Sequence, residues 1–451
     1  MSGDPRLFRD LIAAFDRHGL RYCILAGYDG YPGVVASDVD FMVVPADAAR
    51  VPAILADAAA SSGARLIQCV AHETTAAWFV IAHDDCRSLS FIQPDLSTDY
   101  RRHGRLWLAA GDVVARRRRH PEGFWVPSAA DSFIYYLIKK LDKGALSRAQ
   151  ADEVTRRFDE DPDAAASLLH HHFDARSAEL IERAMRSGNA KSLTESIGTL
   201  RRRLHDHMPA EAPLLRLRQV AADTLRIADR LRRPTGLSIA FLGPDGCGKS
   251  SVIERLRYEL SEAFRRVEYQ HLRPRPSMAS GAPAHAAVID PHGRARRSVS
   301  GSALKLLHFW LRYLSGTIRW TYPRVVSSTL VIFDRYYHDL IADPCRYRYA
   351  APLAWARLLG RAVPQPDLVF ILDAPPEIIQ ARKQEVPFAE SARQRAAYLA
   401  LVPHLRAAHV IDAAQPLGKV VADVLGIVLM RLEARAAGRL DLAVLTHGAG
   451  E

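Results

Sequence analysis

The chain has 451 residues, 49% of them hydrophobic, and a formal net charge of +11. That length exceeds one ordinary domain and predicts two or three, with ample apolar content for packed cores. No apolar run is long enough to span a bilayer, and five scattered cysteines without a CxxC pair argue against structural zinc and fit a reducing compartment.

The first fifteen residues, MSGDPRLFRDLIAAF, read as the start of a charged amphipathic helix and not as a signal peptide, so a cytoplasmic protein is expected. The positive charge gathers at Arg116 to Arg119, at Arg201 to Arg203, and at Arg294, Arg296 and Arg297. Such clusters suit anionic ligands or nucleic acid, but most are read as solvated surface, so nucleic acid is not the favoured partner.

Taken in order, residues 5–19 predict a first helix and Tyr22, Cys23, Ile24 and Leu25 a strand, followed by the turn-rich run 27–33. Residues 37–44 then alternate, with Asp38 and Asp40 separated by Val39. The period of two in a strand puts both carboxylates on one face, where they repel unless a cation lies between them. A helix is expected before Gly63, a strand at 76–81, and a strand at 89–92 followed by Asp95 and Asp99. Residues 127–234 read as all-helical, with Lys139, Lys140 and Lys143 near the end of an amphipathic helix at 132–144. His170, His171 and His172 are adjacent, point in different directions on a helix, and are expected on its surface. The run Arg232-Arg233-Pro234-Thr235-Gly236 breaks the pattern and marks a boundary.

Beyond it, Ile239 to Leu242 form an apolar strand, then a glycine-rich loop, then a helix carrying Val252, Leu256 and Leu260. The loop, GPDGCGKS over 243–250, matches GxxxxGK[ST] in full. Its glycines let backbone N–H groups turn inward around phosphate oxygens, and the helix points its positive end at the same anion. Lys249 supplies a charge for β and γ phosphates and Ser250 a hydroxyl for Mg²⁺. Residues 267–272 read as a second strand, 277–302 as a long loop suited to a lid or acceptor flap, and 304–320 as an amphipathic helix. The apolar strand 329–333 ends in Asp334, Arg335, Tyr336 and Tyr337. An acid at that tip is placed to hold Mg²⁺ through water or to receive a proton, and Arg335 to clamp a second phosphate. A further strand, 368–372, precedes a helix bearing Arg382 and Lys383. Arg393 and Arg395 lie on the next helix, and residues 409–412 form a last strand.

Two resemblances rest on these residues. FLGPDGCGKSS, FDRYY, PDLVFILDAPPE and HVIDA, within 235–438, resemble the thymidylate kinase family. That implies a doubly wound α/β P-loop kinase using ATP and Mg²⁺. The nucleotide site would comprise Gly243, Asp245, Gly246, Cys247, Gly248, Lys249, Ser250 and Ser251. Asp334 would lie near the metal, Arg335 on the acceptor phosphate, and a lid arginine would come from Arg382, Arg393 or Arg395. The catalytic set implied is Lys249, Asp334, Arg335 and Arg382. The acceptor implied is a nucleoside monophosphate or another small phosphorylated molecule such as a sugar phosphate, and the family's habit points to a homodimer.

Residues 1–126 resemble the minimal nucleotidyltransferase fold, an α+β domain whose metal ligands would be Asp38, Asp40 and Asp95. Gly27-Tyr28 stands where that family has Gly-Ser or Gly-Gly, which leaves a degenerate domain as the other reading. The expected layout is therefore 1–126 nucleotidyltransferase-like, 127–234 helical and 235–451 kinase-like. An enzyme acting on nucleic-acid ends and a non-catalytic ATP-binding regulator stand as alternatives.

Overall fold

The computed structural model describes residues 2–85, 88–102, 104–188, 190–208, 212–274, 297–383 and 386–447. The chain divides into two compact units, Met1–Ile227 with Glu433–Glu451, and Ala228–Leu432.

The first unit is built on a five-stranded mixed sheet. Its strands are β1 (Tyr22–Ala26), β2 (Asp38–Val43), β3 (Arg65–Glu73), β4 (Ala76–Asp84) and β5 (Leu89–Ser97), in the order β1-β2-β5-β4-β3. β2 and β5 run parallel, which sets Asp40 opposite Asp95. The other three pairings are antiparallel. Strand β3 is absent from the sequence expectation. Its buried residues Leu66, Ile67 and Gln68 are consecutive and its register with β4 shifts there, so the period of two that marks a half-buried strand is broken.

The alternation of β1 and β2 feeds two cores. Tyr22, Ile24, Val39, Phe41 and Val43 pack with helices α1 (Pro5–Arg17) and α2 (Val51–Ser61). Asp4 caps α1 through its side chain, and Leu7, Phe8, Leu11, Ile12 and Phe15 give it one apolar stripe. Cys23, Leu25, Met42 and Val44 face the other way, toward helix α3 (Ala129–Lys143). Asp38 and Asp40 have the parity of Met42, so they point to the α3 side as well. Helix α3 starts at the Ser128 side-chain cap and stops at Gly144 in the left-handed region.

Helices Arg148–Asp159, Pro162–His172, Ala175–Arg186 and Ala190–His207 continue that second core through Val154, Phe158, Leu169, Ile181 and Leu204. The adjacent histidines do not share one environment. His170 and His171 are exposed as expected, but His172 turns into the core.

The second unit carries a five-stranded, all-parallel sheet. Its strands are β6 (Leu237–Leu242), β7 (Arg266–His271), β8 (Thr329–Asp334), β9 (Leu368–Asp373) and β10 (Ala408–Asp412), in the order β7-β8-β6-β9-β10. β6 and β8 are buried along their whole length, the continuous apolar run of a covered parallel strand. The order reverses at β6, and ligands of such sheets bind at the strand C-termini beside that reversal.

Most of the loop expected at 277–302 lies outside the described residues. Its last part is helical: Val299–Gly316 begins earlier than the sequence suggests because the Ser298 hydroxyl caps the Gly301 amide at 3.1 Å. A π turn, Thr317–Thr321, carries the chain on into Tyr322–Val326.

Candidate functional site

The phosphate loop joins β6 to helix Lys249–Glu259 at the C-terminal edge of the parallel sheet. Gly243, Gly246 and Gly248 all have positive φ. At Gly243, with φ of 146°, a Cβ would meet the Leu372 carbonyl oxygen at 2.8 Å and Cys247 Sγ at 2.9 Å, so only glycine fits. Cys247 is buried against this turn, while Ser250 and Ser251 are exposed on the first turn of the helix. Lys249 is buried, and its ammonium donates to the carbonyl oxygens of Gly243 (2.8 Å) and Pro244 (2.7 Å). The lysine thus lies folded along the loop.

Asp334 ends β8, next to β6. Tyr269 donates its hydroxyl to Asp334 Oδ2 at 3.1 Å, and His271 Nδ1 lies 3.8 Å from the same oxygen. Oδ1 is buried without a hydrogen-bond partner among the described residues. Burial works to raise the carboxyl pKa, but His271, Lys249 and Arg335 together outweigh it and hold it below the usual range. A charged carboxylate with one unused oxygen beside a phosphate loop fits a hydrated Mg²⁺, with the Ser250 hydroxyl as the second protein group.

The next residue, Arg335, has φ of 71°, strained for a side chain with a Cβ, and its amide is tied to the Phe241 carbonyl at 3.0 Å. That conformation turns the guanidinium back toward the loop, where it pairs with Asp245 and Asp339. Arg346 also pairs with Asp245, and with Asp343 at 3.3 Å. Two arginines therefore converge on the acidic residue of the phosphate loop.

Of the three candidates for the lid arginine, Arg395 is held in a fork by Asp373 at 2.6 and 2.8 Å. Arg393 is paired with Glu390, and Arg382 donates to the Ala413 carbonyl at 2.9 Å. Helix Pro376–Arg382 ends against the loop: a Cβ at Gly246 would lie 3.1 Å from the Ile379 carbonyl oxygen and 3.2 Å from Lys383 Cβ.

In the first unit, Asp38, Asp40, His72, Asp95, Tyr100, Arg102, Lys139 and Lys143 line one cavity. Lys139 donates to Asp40 at 2.6 Å, and His72 Nε2 lies 3.6 Å from Asp95. Burial opposes the Lys139 charge, but Asp40 and Asp95 outweigh it and raise its pKa. Asp38 is pushed up, by burial first and then by Asp40. Among the described residues no group of three His, Cys, Asp or Glu side chains is set to hold a metal ion. Tyr28 does not reach this cavity's acids. Its ring packs edge-on against Phe124 at 5.4 Å and His120 at 5.5 Å.

No family model matches the chain. Curated thymidylate kinases do, among them the following three. The thymidylate kinase of Xanthomonas euvesicatoria pv. vesicatoria is 29% identical over 216 residues, 46% of this chain and 89% of the relative. That of Xanthomonas campestris pv. campestris is 30% identical over 212 residues, 45% of this chain and 87% of the relative. The probable thymidylate kinase of Pyrobaculum aerophilum is 31% identical over 199 residues, 41% of this chain and 93% of the relative. The chain belongs to the thymidylate kinase family. Membership concerns less than half of it, and these relatives say nothing of the nucleotidyltransferase-like residues.

Four thymidylate-kinase-unit residues escaped the sequence reading. Tyr269 and His271 sit on Asp334 because β7 and β8 pair in register, His271 opposite Asp334. Strand pairing has no local signature in sequence. Arg346 and Asp339 lie twelve and five residues after Asp334, and the irregular turns that return them to Asp245 and Arg335 carry no periodicity. In the first unit the sequence sets Lys139, Lys140 and Lys143 together and does not choose among them. Helical phase selects Lys139, on the face of α3 turned to β2.

Proposed function

We propose that the second unit moves the γ-phosphate of ATP to a small phosphorylated acceptor, a nucleoside monophosphate or a molecule of similar size and charge. The relatives support nucleotide kinase activity in this part of the chain. The observation that carries the finer reading is the meeting of three elements. These are the glycine-shaped loop with Lys249, the unpartnered Asp334 oxygen beside it, and two arginines on Asp245. Lys249 and the loop amides would hold the triphosphate, and Ser250 and Asp334 the Mg²⁺, which when bound neutralises charge on the transferring group. Arg335 and Arg346 would exchange Asp245 for the acceptor phosphate, and Arg382, Lys383 or Arg395 would close on the transferring group.

The test is γ-phosphate transfer from ATP with Mg²⁺, screened over nucleoside monophosphates, sugar phosphates and oligonucleotides. Lys249→Ala and Asp334→Ala should each reduce kcat by about 10²–10³. Full activity in Lys249→Ala sinks the site assignment, and transfer to oligonucleotides alone replaces the small-acceptor reading.

A second activity is proposed for the first unit, nucleotidyl transfer. It is favoured by one observation, the shared cavity of Asp38, Asp40, Asp95, Lys139 and Lys143. α-Phosphate transfer that is lost in both Asp38→Ala and Asp40→Ala would support it. A product indifferent to both substitutions would leave a degenerate domain.

A further inference from the structure

Helix Pro213–Arg232 buries none of its residues. Its part in the first unit, up to Ile227, is inverted relative to an ordinary surface helix. Leu214, Leu217, Val220, Leu225 and Ile227 are 52–71% exposed. At about 100° per residue these five, with Ala221 and Thr224, fall in one stripe about 160° wide. The half-buried residues lie on the opposite side: Gln219, Asp223 and Arg226. Arg226 pairs with Asp223 at 3.0 Å and reaches the Ala71 carbonyl at 3.5 Å. The helix therefore turns polar groups to the protein and an apolar stripe to the outside. Of the large exposed apolar residues in this part, only Leu215 lies off the stripe.

The charges bordering the stripe are of one sign. The first charged residue on one side is Arg216, lying over Gly104, and on the other Arg218. Asp223 lies farther round and is already paired. An apolar stripe edged by arginines matches a bilayer surface with anionic headgroups: the apolar side chains enter the acyl boundary while arginines snorkel to phosphates. A second copy of the helix would meet the same arginine edges and repel them. No helix among the described residues is long and apolar enough to cross a membrane, so the contact would be one of lying on the surface.

We infer that the outward face of this helix, from Leu214 to Ile227, docks the protein on an anionic lipid surface. This stands apart from the phosphotransfer reading and uses none of its residues. The test is sedimentation of the full chain with vesicles of phosphatidylcholine, alone or with about one-third phosphatidylserine. Capture by the anionic vesicles should exceed capture by neutral ones about tenfold and fall several-fold in high salt. Leu217→Glu combined with Leu225→Glu should abolish it, and Arg216→Gln with Arg218→Gln should weaken it. Ala222→Gln, on the polar side, should leave it near wild type. Circular dichroism and thermal unfolding confirm that each variant is folded. Absence of capture, equal capture by neutral vesicles, or capture untouched by the double glutamate substitution overturns the inference. So does a dimer in solution that the same substitution converts to monomer, which would assign the face to a second copy.

Discussion

Arg335 and Asp339 are bonded twice, Nη1 to both carboxylate oxygens at 3.1 and 2.9 Å, and both side chains are buried. Asp339 also accepts from the Tyr347 hydroxyl at 2.7 Å and from Tyr398. It is the group that fixes Arg335 within reach of the phosphate loop. Asp339→Ala leaves a buried guanidinium without its main counter-charge, which costs about 3–5 kcal/mol. Asp339→Asn keeps the shape and part of the bonding and should cost less. Urea unfolding of both variants checks this; equal stability of Asp339→Ala and wild type would refute the structural role.

Gly243→Ala should damage nucleotide binding without unfolding the sheet. The new methyl meets the Leu372 carbonyl and Cys247 Sγ below 3 Å, at a φ that a residue with a Cβ avoids. Strain of about 1–3 kcal/mol would be relieved by moving the loop. ATP affinity should therefore fall about tenfold or more, measured by calorimetry. Unchanged affinity would mean that the loop conformation does not limit binding.

Stability should fall in mild acid, for a reason present once in each unit. Burial pushes the His338 imidazole down to about 4, and burial, with His171 beside it, pushes His172 down to about 4. A base whose folded pKa lies below its unfolded value supports the fold above the ordinary histidine range. That support is lost as pH falls from about 6.5 toward 4, by up to roughly 3 kcal/mol for each group. Denaturant midpoints measured across this window should drop, and His338→Leu or His172→Leu should each flatten part of the slope. A flat wild-type profile would show that these rings accept protons in place.

The phosphate loop is legible in sequence because glycine, lysine and serine at fixed spacing are dictated by backbone geometry within eight residues. The apolar strands β6, β8 and β9 are legible because burial on both faces writes continuous hydrophobic runs. What stays hidden depends on pairing between distant segments. Strand β3 carries a bulge, Tyr269 and His271 acquire meaning only opposite Asp334, and Arg346 only through its return to Asp245. The inverted helix at 213–227 is hidden for a different reason. Its amphipathic pattern is plain, but a pattern does not say which face turns outward.

Lys139 and Asp40 allow the last prediction. The 2.6 Å bond joins α3 to the acid-bearing strand, and both groups are mostly shielded from water. Lys139→Met keeps the length of the stem and removes the charge. Asp38 and Asp40, fixed on one strand face, then repel with Lys143 as the remaining counter-charge on Asp38, which already sits above its usual pKa. The loss should be about 1–3 kcal/mol at neutral pH. The sign of its pH dependence follows from the acids. Lys139 pulls the Asp38 pKa down, so without the ammonium Asp38 rises further above its unfolded value and proton uptake favours the folded state as pH falls. The gap between Lys139→Met and wild type should therefore narrow toward the carboxylate range. Unfolding curves of both proteins at neutral and mildly acid pH measure it, and a gap that is constant across that range would show that Lys139 acts through packing alone.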